Sequence, residues 1–170
     1  MEIERKFYIR DSKMIEDLKD KYKDTKKTIE QDYIYSDIFT AIRKRKIKKG
    51  DTIKYVYTIK TGRKGYSVNE IEQEITENQY NKLVKDKNRN TIIKDRYLIP
   101  YINRLIIELD VFHGVYEGIV FAEIEFESEE QAVNADIPEW FDIEIGDLIS
   151  NDMMSRELVN VKEIIMDSKN

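Results

Sequence analysis

The sequence predicts an α+β fold built on an antiparallel sheet large enough to close into a barrel. Three observations carry that prediction. About eight segments of roughly seven to eleven residues alternate charged and apolar side chains at a period of two. Turn chemistry such as Lys49-Gly50-Asp51 joins neighbours as hairpins. Thr76–Gln79 and Ser128–Gln131 read as capping boxes that open short helices between strands. About eight strands suffice for a barrel. Nearly every charged face mixes Glu with Lys or Arg. The pattern is satisfied by charge outside and core inside, or by the inverse, with a charged lumen and helices over an apolar exterior.

Each element follows from local signals. In the first ten residues Glu2, Glu4 and Lys6 share one strand face, and Ile3, Arg5, Phe7 and Ile9 the other. Like charges aligned on a strand repel, so no structural role asks for Glu2 beside Glu4. Paired carboxylates suit a hard divalent cation, and the lysine beyond suits a phosphate. Asp11 or Ser12 caps a helix with Met14, Ile15, Leu18 and Tyr22 at helical spacing, and lysines through Lys27 suit its C-terminus. Ile29–Phe39 is predicted as a strand with Tyr33, Tyr35 and Asp37 on one face, followed by Ala41–Lys48 and Thr52–Lys60. Thr61–Gly65 reads as a flexible basic loop before the strand Tyr66–Ile75.

The helix after Thr76 is expected to bury Tyr80, Leu83 and Val84. Thr91–Ile99, Tyr101–Phe112 and Gly118–Glu127 complete the strands, with Arg104, Ile106, Glu108 and Asp110 on one face of the second. Pro138 closes the helix after Ser128. Beyond Trp140 the chain reads as short helices, packed through Ile145, Leu148, Met153, Met154 and Leu158.

Composition bounds the function. The chain has 170 residues, 41% hydrophobic and 37% charged, which fits one domain spanning 1–170 with a core of useful size. No apolar run approaches the ~18 residues of a membrane span, and the start has no signal-peptide pattern. The absence of cysteine excludes disulfides and thiolate metal sites and leads us to expect a cytoplasmic protein. One histidine, His113, is too few for the common zinc centres and is expected in a surface turn. A net charge of −5 disfavours general nucleic-acid binding, although Arg43–Lys49 is strongly basic.

Glu2-x-Glu4-x-Lys6 resembles the opening signature of the CYTH, or triphosphate tunnel metalloenzyme, superfamily, in its short bacterial form. Further elements follow in that family's order across residues 1 to about 160: Arg43-x-Arg45, Thr58-x-Lys60, Glu70-x-Glu72, Lys94-x-Arg96, Glu108–Phe112 and Glu123-x-Glu125. The resemblance implies a closed eight-stranded antiparallel barrel whose charged tunnel binds a triphosphate with Mg²⁺ or Mn²⁺. It assigns Glu2, Glu4, Glu70, Glu123 and Glu125 to metal. Substrate binding goes to Arg43, Arg45, Lys60, Lys94, Arg96, Arg156 and Tyr33, and catalysis to Lys6, Glu4, Glu72 and Lys94. Asp110 is expected to orient a neighbouring Arg or Lys.

Two departures from the family pattern matter. Val68 stands where bacterial relatives tend to place an arginine, and the expectation is either that Arg63 or Lys64 supplies the missing charge or that substrate affinity is lower. The C-terminal Tyr-x-Asn element is replaced by Asp152-Met153-Met154-Ser155-Arg156, with Arg156 expected to close the tunnel.

The chemistry of these residues agrees with a polyphosphate. Arginine forks match phosphoryl oxygens, lysines add mobile charge, and glutamates in the same cavity need a cation between them and the anion. The expected partner is therefore a small molecule carrying a triphosphate, with no specific nucleic acid and no membrane; the oligomeric state stays open, a homodimer included. Tripolyphosphate hydrolysis leads. An adenylate cyclase or a thiamine or nucleoside triphosphatase would use the same fold, a non-catalytic polyphosphate or nucleotide sensor would use the same tunnel, and single-stranded nucleic acid is disfavoured by net charge.

Overall fold

The computed structural model describes residues 1–146, 148–156 and 160–169. Its strands are β1 (Glu2–Tyr8), β2 (Lys27–Ser36), β3 (Thr40–Lys49), β4 (Thr52–Lys64), β5 (Ser67–Ile75), β6 (Ile92–Pro100), β7 (Ile106–Phe112), β8 (Val120–Glu125) and β9 (Ile143–Glu144). They are ordered β5-β4-β3-β2-β6-β7-β8-β1-β9, and β1 also pairs with β5. Eight strands therefore close an antiparallel barrel, with β9 as an addition. The closing seam is short. β1 meets β5 at Glu2↔Val68 and Ile3↔Ser67, and β9 takes the far half of that edge at Phe7 and Tyr8.

The barrel is inverted: its apolar residues face outward. Ile3, Phe7, Leu109, Ala122 and Ile124 lie on the outer faces of β1, β7 and β8, packed with Ile15, Ala132 and Phe141. The elements that bring those partners begin where the side chains dictate. The Asp11 carboxylate accepts the Met14 N–H at 3.0 Å and starts α1 (Ser12–Lys21), which buries Ile15. Ser128 accepts the Gln131 N–H and starts α3 (Glu129–Asn134), which buries Ala132. Between them, α2 (Glu77–Lys82) carries a complete Thr76–Gln79 capping box. Burying each large apolar side chain supplies about 1.5–3 kcal/mol, so the outer face, not the lumen, holds this half of the barrel together.

A second apolar cluster seals one end of the lumen. Along the inward face, charge gives way to Tyr8 on β1, Ile92 on β6, Phe112 on β7 and Phe121 on β8. Ile145, Ile149, Met154 of α4 (Asn151–Arg156) and Val161 and Ile165 of α5 (Val161–Ser168) pack against them as a plug. Among the described residues, no helix is long and apolar enough to cross a membrane.

Several expectations are corrected. The first helix ends at Lys21, and Lys27 opens β2 instead of closing a helix. β2 stops at Ser36, and a register shift between Tyr33 and Tyr35 breaks their expected common face: Tyr33 is buried and Tyr35 is 50% exposed. The basic stretch after Lys60 is not a free loop; β4 runs to Lys64, with an irregularity after Thr61 where Gly62 takes a φ of +63°. The strand expected from Tyr101 begins at Ile106, because Asn103 and Arg104 adopt φ of 55° and 62° in a tight turn that removes Arg104 from the sheet.

In the second expected capping box, Gln131 accepts from the Glu127 N–H, so the return bond goes one residue upstream. Val84, Leu148 and Met153 are exposed, and the tail contributes a strand as well as helices. Leu158 lies outside the described residues.

Candidate active site

Inversion places the charged strand faces around a cavity of about 520 Å³. Seven glutamates and eight lysines or arginines line it among the described residues. Their distribution follows strand order. Adjacent strands β8, β1 and β5 carry Glu123, Glu125, Glu2, Glu4, Glu70 and Glu72, whereas β3, β2 and β6 carry Arg43, Arg45, Lys27, Lys94 and Arg96. The lumen thus has an acidic wall facing a basic one. Cross-strand register sets the finer contacts, with Glu4 opposite Glu125, Lys6 opposite Glu123, Lys60 opposite Glu70 and Lys27 opposite Arg96.

Many of the charges are paired. Lys60 Nζ lies 2.5 Å from Glu2 Oε2 and 3.3 Å from Glu70 Oε2. Lys6 meets Glu123 at 3.5 Å, Arg63 meets Glu4 at 3.4 Å, and Arg45 pairs with Glu72. Arg96 Nη1 reaches Glu108 at 2.5 Å, while its Nε and Nη2 donate to the two oxygens of Asp110 at 2.7 Å each. Lys94 also donates to Asp110, which is completely buried. Asp110 therefore orients the Lys94-x-Arg96 pair.

What is unpaired is more informative. Arg43 is buried and has no carboxylate within ion-pair distance among the described residues. Among the described residues, the buried side-chain atoms lacking a hydrogen-bond partner are Arg43 Nε, Arg45 Nε, Gln31 Oε1, Thr58 Oγ1, Glu70 Oε2, which has only its ion pair with Lys60, and Asn151 Oδ1. Five belong to inward strand faces and the sixth lines the same cavity. Apart from Glu70 Oε2, each such atom costs on the order of 1–3 kcal/mol unless a ligand or water satisfies it. A lumen concentrating that cost is arranged around an occupant.

Electrostatics sharpen the two walls. Burial, and then hydrogen bonding to Glu70, holds the Glu2 carboxyl above its ordinary range. Glu125 is raised by burial and then by Glu2, Glu70 and Glu4, and Glu108 is raised by burial. Burial also tends to raise Glu123, but Lys6, Arg96 and Lys94 outweigh it and hold that carboxyl well below the usual range. On the basic side, burial and the neighbouring Arg43 lower Arg45 to about 10. Burial lowers Lys94 to about 8, with Asp110 opposing the shift.

This gives a pH prediction. Below about pH 8 Lys94 carries a proton and contributes charge to an anion. Between that value and the ordinary lysine range the unfolded chain binds more protons than the folded one, so stability rises with pH as lumen charge is lost. Tripolyphosphate affinity is expected to fall from pH 7.5 to 9.5, with proton uptake on binding; calorimetry in two buffers of different ionisation enthalpy measures both.

Thirteen of the fourteen residues anticipated from sequence line this one cavity: Glu2, Glu4, Lys6, Tyr33, Arg43, Arg45, Lys60, Glu70, Glu72, Lys94, Arg96, Glu123 and Glu125. Arg156 does not. Its guanidinium binds Asp152 at 3.1 Å and Ser36 Oγ at 2.9 Å, tying α4 to the end of β2. Arg63, in the same β4–β5 hairpin as Val68, joins the cavity lining and borders the side cavity together with Val68. Glu108, which opens the Glu108–Phe112 element, also lines the cavity, and so do Lys27 and Asn151, to which the sequence assigns no site role. Lys27 shares parity with Ile29 and Tyr33 and becomes legible once β2 starts two residues earlier. Asn151 carries no strand pattern and gives no such signal.

Among the described residues, no three carboxylates or imidazoles converge into a ready cage for a metal ion. The donor chemistry nevertheless fits a hard divalent cation, because Glu2, Glu4, Glu70 and Glu125 supply only oxygen, and burial, reinforced by neighbouring carboxylates, raises the proton affinity of Glu2 and Glu125.

No family model and no curated protein sequence matches the chain. Solved structures do. The inorganic triphosphatase NE1496 aligns at 23% identity over 93% of this chain and 96% of its own, with a TM-score of 0.57. HpAC1 from Hippeastrum, an adenylyl cyclase candidate described as having a dominant triphosphatase activity, aligns at 18% identity over 78% and 83%, TM-score 0.57. PH1819 from Pyrococcus horikoshii OT3 aligns at 22% identity over 79% and 84%, TM-score 0.59. At these identities the likeness is one of fold. The chain shares the antiparallel barrel fold of these proteins.

Proposed function

We propose that the protein hydrolyses a triphosphate bound inside the barrel, with inorganic tripolyphosphate as the favoured substrate and Mg²⁺ or Mn²⁺ as cofactor. The observation that carries this reading is the buried Arg43 guanidinium, without a carboxylate partner among the described residues and set beside Arg45 on a basic wall that faces an acidic one. Arg43, Arg45 and Arg96 hold phosphoryl oxygens through planar forks, and Lys60 and Lys94 add charge where the leaving group accumulates it. Lys6 contacts the terminal phosphoryl group. Glu2, Glu4 and Glu125 would hold the cation, with Glu70 and Glu123 beside them; when bound, it would screen the glutamates from the substrate and acidify water.

Glu4 or Glu72 takes the proton from the attacking water as its oxygen bonds to the terminal phosphorus. The P–O–P bond then breaks, and the electron pair leaves on the departing diphosphate, stabilised by the basic wall.

One observation favours a substituted triphosphate as a second reading. A side cavity of about 270 Å³ shares Lys6, Lys60 and Arg63 with the main one and is bordered by the exposed Ile38 and Phe39, an apolar edge suited to an organic head group. The test is phosphate release from tripolyphosphate, ATP and thiamine triphosphate, each with Mg²⁺, Mn²⁺ or EDTA, with chromatography for cyclic AMP. Metal-dependent release favouring tripolyphosphate is the expected result. Cyclic AMP would move the protein to cyclisation, and tight binding without turnover to sensing.

A further inference from the structure

The plug that seals one end of the barrel is held in place by identifiable bonds. Asp152 of α4 accepts from Ser36 Oγ, from Arg89 Nη1 at 2.5 Å and from Arg156 Nε at 3.1 Å. The Ser155 carbonyl accepts the Asn90 N–H at 2.6 Å, and the Met154 carbonyl accepts the Tyr116 hydroxyl at 2.7 Å. Met154 itself is fully buried in the apolar cluster. Docking of α4 is thus accounted for without Asn151.

Asn151 is nevertheless 8% exposed and lines the main cavity, and its Oδ1 is buried without a partner. Its carboxamide makes no hydrogen bond among the described residues. Carrying a polar group to an apolar plug and leaving it unbonded is costly. That cost is recovered only when something in the cavity bonds the amide.

We propose that Asn151 is a substrate-contacting residue whose Nδ2 donates to an oxygen of the terminal phosphoryl group. This rests on the triphosphate reading above. With neither end of the carboxamide engaged, it can turn its NH₂ toward an anion without breaking a bond. The plug also lies beside Lys6: the Ile145 N–H donates to the Lys6 carbonyl at 2.9 Å, and Ser150 and Lys6 line the same side cavity. Lys6 supplies charge there and Asn151 supplies direction. The terminal phosphoryl group is then gripped by the barrel and by the C-terminal plug at once.

The test compares wild type, Asn151→Ala, Asn151→Asp and Met154→Ala, measuring tripolyphosphate binding by calorimetry and thermal unfolding by circular dichroism. Asn151→Ala is expected to weaken binding about tenfold, the loss of one hydrogen bond to a charged group, with its melting temperature unchanged. Asn151→Asp should weaken it further by placing a carboxylate against the anion. Met154→Ala loosens the plug without touching the cavity and should lower the melting temperature while keeping most of the affinity. Undiminished binding by Asn151→Ala overturns the inference, as does a Met154→Ala protein that loses affinity equally. Failure of the wild type to bind tripolyphosphate would instead overturn the triphosphate reading.

Discussion

Arg43→Met is expected to lower tripolyphosphate affinity by two to three orders of magnitude and to leave the stability of the free protein within about 1 kcal/mol of wild type. The two halves of that result share one cause. A buried guanidinium is normally kept by a carboxylate, and removing one member of such a pair is strongly destabilising. Among the described residues Arg43 has no carboxylate in contact, so methionine, which fills similar space, breaks no ion pair there. Burial lowers its proton affinity, but Tyr33, Glu70 and Glu2 outweigh that and keep it charged. Calorimetry with tripolyphosphate and urea unfolding of the free protein together check the prediction. A large loss of stability would make Arg43 a structural cation and remove the main support for an anion site.

Asp110→Ala should show the opposite pattern. The Asp110 carboxylate is buried between Lys94 and Arg96, and Arg96 alone makes two bonds of 2.7 Å to it. Truncation leaves two buried cations side by side without the carboxylate that joined them. We expect a loss of about 3–5 kcal/mol. Part of it should return when tripolyphosphate is added, because an anion in the cavity replaces the missing negative charge and binding shifts the folding equilibrium. Urea unfolding with and without tripolyphosphate measures both effects. A variant as stable as wild type would mean that the triad is dispensable to the fold.

Much of this arrangement is written in strand parity. Glu2, Glu4 and Lys6 are spaced to share a face wherever the strand lies, and so are Arg43 with Arg45, Glu70 with Glu72, Lys94 with Arg96 and Glu123 with Glu125. A side-chain period of two is a local property of extended backbone, and neighbours cannot change it. Helix starts at Asp11, Thr76 and Ser128 are equally local, because the capping side chain bonds a backbone N–H only a few residues away.

Where the reading failed, a distant partner or a backbone irregularity decided. Tyr35 leaves the face of Tyr33 because of a β-bulge against β3, and Arg104 leaves its expected face because two residues enter the left-handed region. Arg156 was placed in the tunnel, yet Asp152 and Ser36 hold it at the junction of α4 and β2.

The sequence by itself determined which residues share faces, that about eight strands could pair as an antiparallel sheet, and that the lumen candidates mix carboxylates with cations. Which way the sheet curls was decided only in the tertiary structure. The outer apolar face is covered by α1, α3 and the segment around Phe141, and the inner charged face is left to the cavity. Segregation of charge into two walls also depended on order in the sheet, since β8, β1 and β5 are neighbours only because β1 closes the seam. Alternation along one strand carries no information about which strand lies beside it. Long-range pairing supplies that information and brings Lys27 to the same cavity as Lys6, while docking of α4 brings Asn151 there.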